Sequence, residues 1–300
     1  VHGGANGVYV NATSDVTLTG YNTFNYNTGN GLDVYSHGNA TLGNITAIYN
    51  TYNGMSVNTF GNTIVGGYNT FNNNAQTGIN VYAYGAISLA NITAIGNGDD
   101  GANIKNYGTG KNVSITGYNT FNDNGKDGLY VNSAGAVTLA NITANGNTWN
   151  GAELLNNHSP ILQSAVTISG TNTFNNNQLV GLSVNSYGAI IVYNLTANDN
   201  NGTAGAFLDN CGYGTLIPSV CTASLSKAVT LAGRVNVKNN TGKGLEVHSL
   251  GAVTLSNVAA DSNGDTGVYI QNNYDKVKQQ NVTIAGANLF YNNGGNGLEI

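Results

Sequence analysis

Apolar residues recur along this chain as short apolar-x-apolar triplets, each preceded by a glycine. The glycines are Gly7, Gly31, Gly54, Gly78, Gly101, Gly128, Gly151, Gly181, Gly205, Gly244, Gly267 and Gly297. Their spacings are 24, 23, 24, 23, 27, 23, 30, 24, 39, 23 and 30 residues. Even-numbered units hold 23 or 24 residues and odd-numbered units grow, so the true period is a pair of units, about 47 residues near the N-terminal end. Inside each unit the apolar positions alternate with polar ones, which is the period of a strand with one buried face. The first strand is Val8-Tyr9-Val10 in one unit and Leu32-Asp33-Val34 in the next. Val16-Thr17-Leu18 exemplifies the second, and Asn22-Thr23-Phe24 or Ile45-Thr46-Ala47 the third. Three strands in about 23 residues predict one turn of an all-β parallel solenoid, whose apolar face is buried only by stacking on neighbouring turns. The whole chain, 1–300, is expected to be one such solenoid. At the strand spacing of about 4.8 Å it would form a rod roughly 50–55 Å long.

Aligning the units exposes two columns. The second apolar position of the third strand reads Phe24, Ala47, Phe71, Ala94, Phe121, Ala144, Phe174, Ala197, Val237, Ala260, Phe290. Large over small fills an interior that Phe over Phe would crowd. Three residues further on, every unit has asparagine: Asn27, Asn50, Asn74, Asn97, Asn124, Asn147, Asn177, Asn200, Asn240, Asn263 and Asn293. An in-register column of amides predicts a ladder in which each side chain donates to the next turn, as in cross-β stacks.

Composition agrees with this reading and removes others. Of 300 residues, 54 are Asn and 42 Gly, with 9 basic and 14 acidic residues. That is unlike a long helical protein, and a 40% hydrophobic content is too high for a disordered chain. No apolar run reaches the length of a membrane span. A net charge of −5 with so few cations argues against nucleic acid as a partner. The chain opens inside the closing turn of one unit (1–6) and stops inside the first strand of another (297–300), so it reads as a segment of a longer rod that stacks end to end.

Gly-Val-Tyr-Val-Asn at 7–11, Gly-Leu-Tyr-Val-Asn at 128–132 and Asn-Thr-Phe-Asn-x-Asn at 22–27 resemble the right-handed parallel β-helix repeats of the pectate-lyase-like superfamily. The resemblance covers the whole chain. It implies a right-handed solenoid of the kind found in large prokaryotic surface adhesins and filaments. It does not choose a function, because one fold carries many. The resemblance also brings in polysaccharide lyases and hydrolases, which work with paired carboxylates. Asp99-Asp100 is the best acidic pair, but it stands in the turn before Gly101 without the basic and histidine partners that such a site needs. It is read as a solvated turn, and no catalytic residue, cofactor or metal is assigned. Asp123 and Asp127, and Asp261 and Asp265, are further turn acids, too sparse for a calcium-loaded repeat.

Extra residues fall between the first and second strands of odd units, at 106–112, 156–165, 211–227 and 272–281. They predict loops projecting from one edge of the rod, where solenoids often bind partners. The longest holds the only cysteines, Cys211 and Cys221. These predict a local disulfide and with it an oxidising, extracellular or cell-surface location. Tyr9, Tyr130 and Tyr269 on first strands, with Tyr213 and Tyr274 on loops, are the candidate contact surface, since exposed aromatics stack on sugars and proteins. Tyr21, Tyr68 and Tyr118 open third strands in odd units, and a Thr column from Thr23 to Thr196 faces outward along them. The expectation is an extracellular structural rod whose partners are itself or neighbouring surface proteins. A glycan-binding adhesin module is the first alternative and a polysaccharide-cleaving enzyme the second.

Overall fold

The structure, a computed structural model, describes residues 5–158, 161–211, 221, 226–272, 274 and 280–300. All regular structure in them is strand. The first strands, from Val8–Ala12 to Leu298–Glu299, stack in chain order into one 12-stranded parallel sheet. The second and third strands stack into the other, where Ile190–Thr196 and Val229–Lys238 run through both positions as single strands. Pairing is turn upon turn in register, with Val10 on Val34, Val34 on Val57 and Val57 on Val81. The three-strand turn predicted from the alternation is therefore the turn that forms.

The interior is one apolar column. Phe71, Phe121 and Phe174 are fully buried and alternate with buried Ala47, Ala94, Ala144 and Ala197. The two-turn period is thus a packing period.

Two features add to the sequence reading. The glycine that opens each turn is not there for a left-handed backbone. The glycines with positive φ are others, such as Gly67 and Gly117. A Cβ on Gly101 would instead lie 2.6 Å from the Gly128 carbonyl oxygen and 2.7 Å from Nδ2 of Asn124. The opening glycine is required by close approach of the next turn and its ladder amide. Second, the loops after the first strand are not the only insertions. Val65 pairs with Leu89 and Asn69 with Ile92, so three residues (66–68) lie opposite two (90–91). The same excess lies between the pairs Leu18–Leu42 and Asn22–Ile45, and between Ile115–Leu139 and Asn119–Ile142. One extra corner residue in odd turns explains units of 24 against 23.

Candidate functional site

The asparagine column forms a continuous ladder. Each Nδ2 donates to Oδ1 of the next turn, at 2.9 to 3.1 Å, from Asn27 through to Asn293. The second Nδ2 hydrogen donates back to a main-chain carbonyl, as Asn97 does to Phe71 and Asn124 to Ala94. Each Oδ1 also accepts the backbone N–H of the preceding rung, as Asn124 does from Asn97. An inner amide thereby makes two donations and two acceptances, its full capacity. The rungs from Asn50 to Asn263 are buried, and full pairing is what makes that burial tolerable.

A second polar column precedes the opening glycines. Asn6, Asn30 and Asn53 each accept a backbone N–H from the following turn through Oδ1. Two turns on, the same place holds acids. Asp100 accepts the Asp127 N–H at 3.2 Å, and Asp127 accepts the Asn150 N–H at 2.8 Å. Asp100 is only 9% exposed and Asp127 2%, which corrects the reading of Asp99-Asp100 as a solvated turn. Only Asp99 stays at the surface, paired with Lys126 at 2.9 Å. Burial, with the charge of Asp127, pushes the Asp100 carboxyl up to about 6. Burial and the nearby Glu153 push Asp127 up to about 6 as well. Glu153 is raised too, by burial and by Asp100. Among the described residues no group of three or more His, Cys, Asp or Glu stands in a metal-holding arrangement.

The most chemically varied group lies on the outer face of the first-strand sheet near the C-terminal end. Residues alternate across a strand, so Glu246 and His248 of Lys243–His248 share that face. Nε2 of His248 lies 2.9 Å from Glu246 Oε1, and Nδ1 lies 2.6 Å from the Tyr274 hydroxyl. A carboxylate only accepts, so Nε2 of His248 donates to Glu246, while Nδ1 and the Tyr274 hydroxyl share the other hydrogen bond. Lys243 reaches Glu246 at 3.4 Å and Asp265 at 3.8 Å, and lies over the Tyr269 ring. Burial works to raise the Glu246 carboxyl, but the hydrogen bond from His248 and the Lys243 charge outweigh it and hold it below the usual range. His248 is 2% exposed, walled by Phe207, Tyr269 and Tyr274. A carboxylate–imidazole–phenol chain can orient a proton, but here the imidazole is enclosed.

Glu246 contributes stability above the ordinary glutamate range and loses it as pH falls through its depressed folded value. We expect Glu246→Gln to cost about 1–2 kcal/mol at neutral pH and to flatten the acid limb of a pH-dependent melting curve.

The predicted cysteine pair is joined, with an S–S distance of 2.04 Å between Cys211 and Cys221. The predicted tyrosine surface divides. Tyr9 is 60% exposed. Tyr130 and Tyr269 are half-buried beneath Lys105 and Lys243, and Tyr274 is engaged with His248. These three are tied into the first-strand face and do not form a free surface. Tyr213 lies outside the described residues. Among the described residues the most exposed tyrosines are Tyr21, Tyr68 and Tyr118. The signal for the His248 group was present as Glu-x-His within one strand. It was missed because Tyr274 comes from a loop 26 residues away.

Stacked parallel strands with a saturated amide ladder define a parallel β-helix repeat protein. The chain belongs to the right-handed β-helix family: that family's description, the right handed beta helix region, matches residues 6–162. No curated protein and no solved structure matches the chain.

Proposed function

We propose that the chain is a structural rod, a segment of an extracellular adhesin, stalk or filament whose neighbours are copies of itself or other surface proteins. The observation that carries this reading is the indifference of the ladder to what the turns project. Asn200 and Asn240 are 40 residues apart in sequence because of the longest loop, yet their amides meet at 3.1 Å, as elsewhere. Loops vary while the column does not, which is how a scaffold presents variable contacts on a constant axis. The disulfide supports an oxidising, extracellular setting.

Small-angle scattering and electron microscopy test the rod, which should extend roughly 50–55 Å along the stack and resist protease up to its melting temperature. A compact particle would refute the reading. So would release of reducing sugars from a panel of polysaccharides, if that turnover disappears in His248→Gln. The second outcome would make the first-strand face an active site.

A further inference from the structure

The corner between the second and third strands carries a rank of exposed aromatic rings. Its origin is the extra residue of odd turns. Gly20, Gly67 and Gly117, with φ of 79°, 75° and 78°, form a repeated bulge, and a bulge re-aims the side chain beside it. That side chain is Tyr21, Tyr68 or Tyr118, exposed by 94%, 80% and 80%. The even turns between carry a left-handed asparagine instead. Asn44 and Asn91 accept the backbone N–H of Tyr68 and Tyr118, both at 3.1 Å. This pins the backbone of those two tyrosines and leaves their rings outside.

Spacing decides what such rings can do. At another corner His37, Phe60 and Tyr84 stand one turn apart and lie nearly parallel, with centroids 5.2 and 5.3 Å apart. Their faces are spent on one another. The Tyr21–Tyr68–Tyr118 rank repeats every second turn, about 9.6 Å, and none of its rings stacks on another described ring. Beside Tyr118 lies a shallow groove of about 330 Å³, lined by Thr120, Asn141, Thr143, Thr171 and Thr173 among others. The face is also uncharged. From Val16 through Asn198, no Asp, Glu, Lys or Arg occurs in any second strand, third strand or the corner joining them. The first is Arg234, after the tyrosine rank has ended.

We propose that Tyr21, Tyr68 and Tyr118 form a docking rank for a single extended, uncharged polysaccharide lying along the rod axis. One sugar stacks on each tyrosine ring. The next lies over the Asn and Thr groups of the intervening turn, which supply hydrogen bonds. Two turns then match the two-sugar repeat of a flat, two-fold chain such as a β-1,4-linked glycan. Charge selects against acidic glycans, because the face offers no cation to a uronate. The surface adds a ligand to the rod, and its test is separable from that of the rod itself, since exposed tyrosines can be replaced without touching the ladder.

The experiment is calorimetric titration of the chain with the hexasaccharides of β-1,4-linked glucose and of β-1,4-linked N-acetylglucosamine, with polygalacturonate as the acidic comparison. At least one neutral hexasaccharide should bind and polygalacturonate should not. Tyr68→Ala should weaken binding about tenfold, Tyr68→Phe should keep most of it, and the triple change of Tyr21, Tyr68 and Tyr118 to Ala should abolish it with the melting temperature unchanged. Failure of both neutral hexasaccharides to bind, tighter binding of polygalacturonate, or full binding by the triple variant would each overturn the proposal.

Discussion

Replacing Asn124 by Ala should destabilise the chain by about 4–6 kcal/mol, from four lost hydrogen bonds and two orphaned buried donors. The four are the two that Oδ1 accepts from Asn97 and the two that Nδ2 donates to Asn147 and Ala94. The orphans are the Asn97 backbone N–H and the Asn97 Nδ2 hydrogen, whose shared acceptor is the lost Oδ1. Losses above about 4 kcal/mol are exceptional for one substitution, and here the mechanism is a broken buried network. Chemical denaturation monitored with hydrogen exchange at the Asn97 and Asn124 amides measures it, because a repeat array can open locally before it melts globally. Asn124→Asp separates the causes. It keeps both acceptances, loses both donations and buries a charge against two acceptors, so its cost should shrink as the pH falls and the carboxyl regains a proton. The Ala variant has no such dependence. A loss within about 0.5 kcal/mol for Asn124→Ala, the range of a neutral surface change, would mean that the ladder is ornamental. Exposed Asn58, on the ordinary extended backbone of Met55–Thr59, is the control.

What was readable in advance was whatever repeats. Period two gave the strands, the twelve glycines gave the turns, and the Phe–Ala and Asn columns gave the contents of the core. Each rests on residues aligned by one translation along the rod, so adjacency in space is adjacency in the alignment. What stayed hidden breaks the repeat. Asp100 looked like a turn acid because turns favour Asp, and its burial shows only when it is seen in the column of Asn6, Asn30 and Asn53. Tyr130 and Tyr9 hold the same strand position, yet Lys105 on the preceding turn lies over the Tyr130 ring. Tyr274 meets His248 through a loop with no counterpart in neighbouring turns. The extra corner residue that exposes Tyr21, Tyr68 and Tyr118 was hidden in a length difference of one, which the larger loop insertions overshadowed.

Asp100 and Asp127 carry the second large prediction, and its sign is the opposite of the first. Both carboxyls titrate near 6 in the folded chain against an ordinary value near 4 when unfolded. Between those values the folded chain holds more protons than the unfolded one, so stability falls as the pH rises through about 4 to 6 and stays reduced above it. Below about pH 4 both states are protonated and the penalty vanishes. Two units correspond to about 3 kcal/mol for each carboxyl at neutral pH. The two costs do not add, since the residues occupy successive turns and each raises the energy of the other's charge. Asparagine removes the charge and keeps the acceptor, as Asn30 shows in the same column with the Asn53 N–H at 3.0 Å. Asp100→Asn and Asp127→Asn should therefore each stabilise the chain by about 2–3 kcal/mol at pH 7.5 and change little at pH 3.5. Of the charged groups around the pair, Lys126 opposes the shift, and Asp99 and Glu153 reinforce it, so Lys126→Met should steepen the wild-type loss. Denaturant midpoints collected from pH 3.5 to 8 decide the matter. A wild-type profile that is flat between pH 4 and 6, or Asn variants less stable than wild type at pH 7.5, would show that the two carboxylates are solvated or paired well enough to carry their charge without cost.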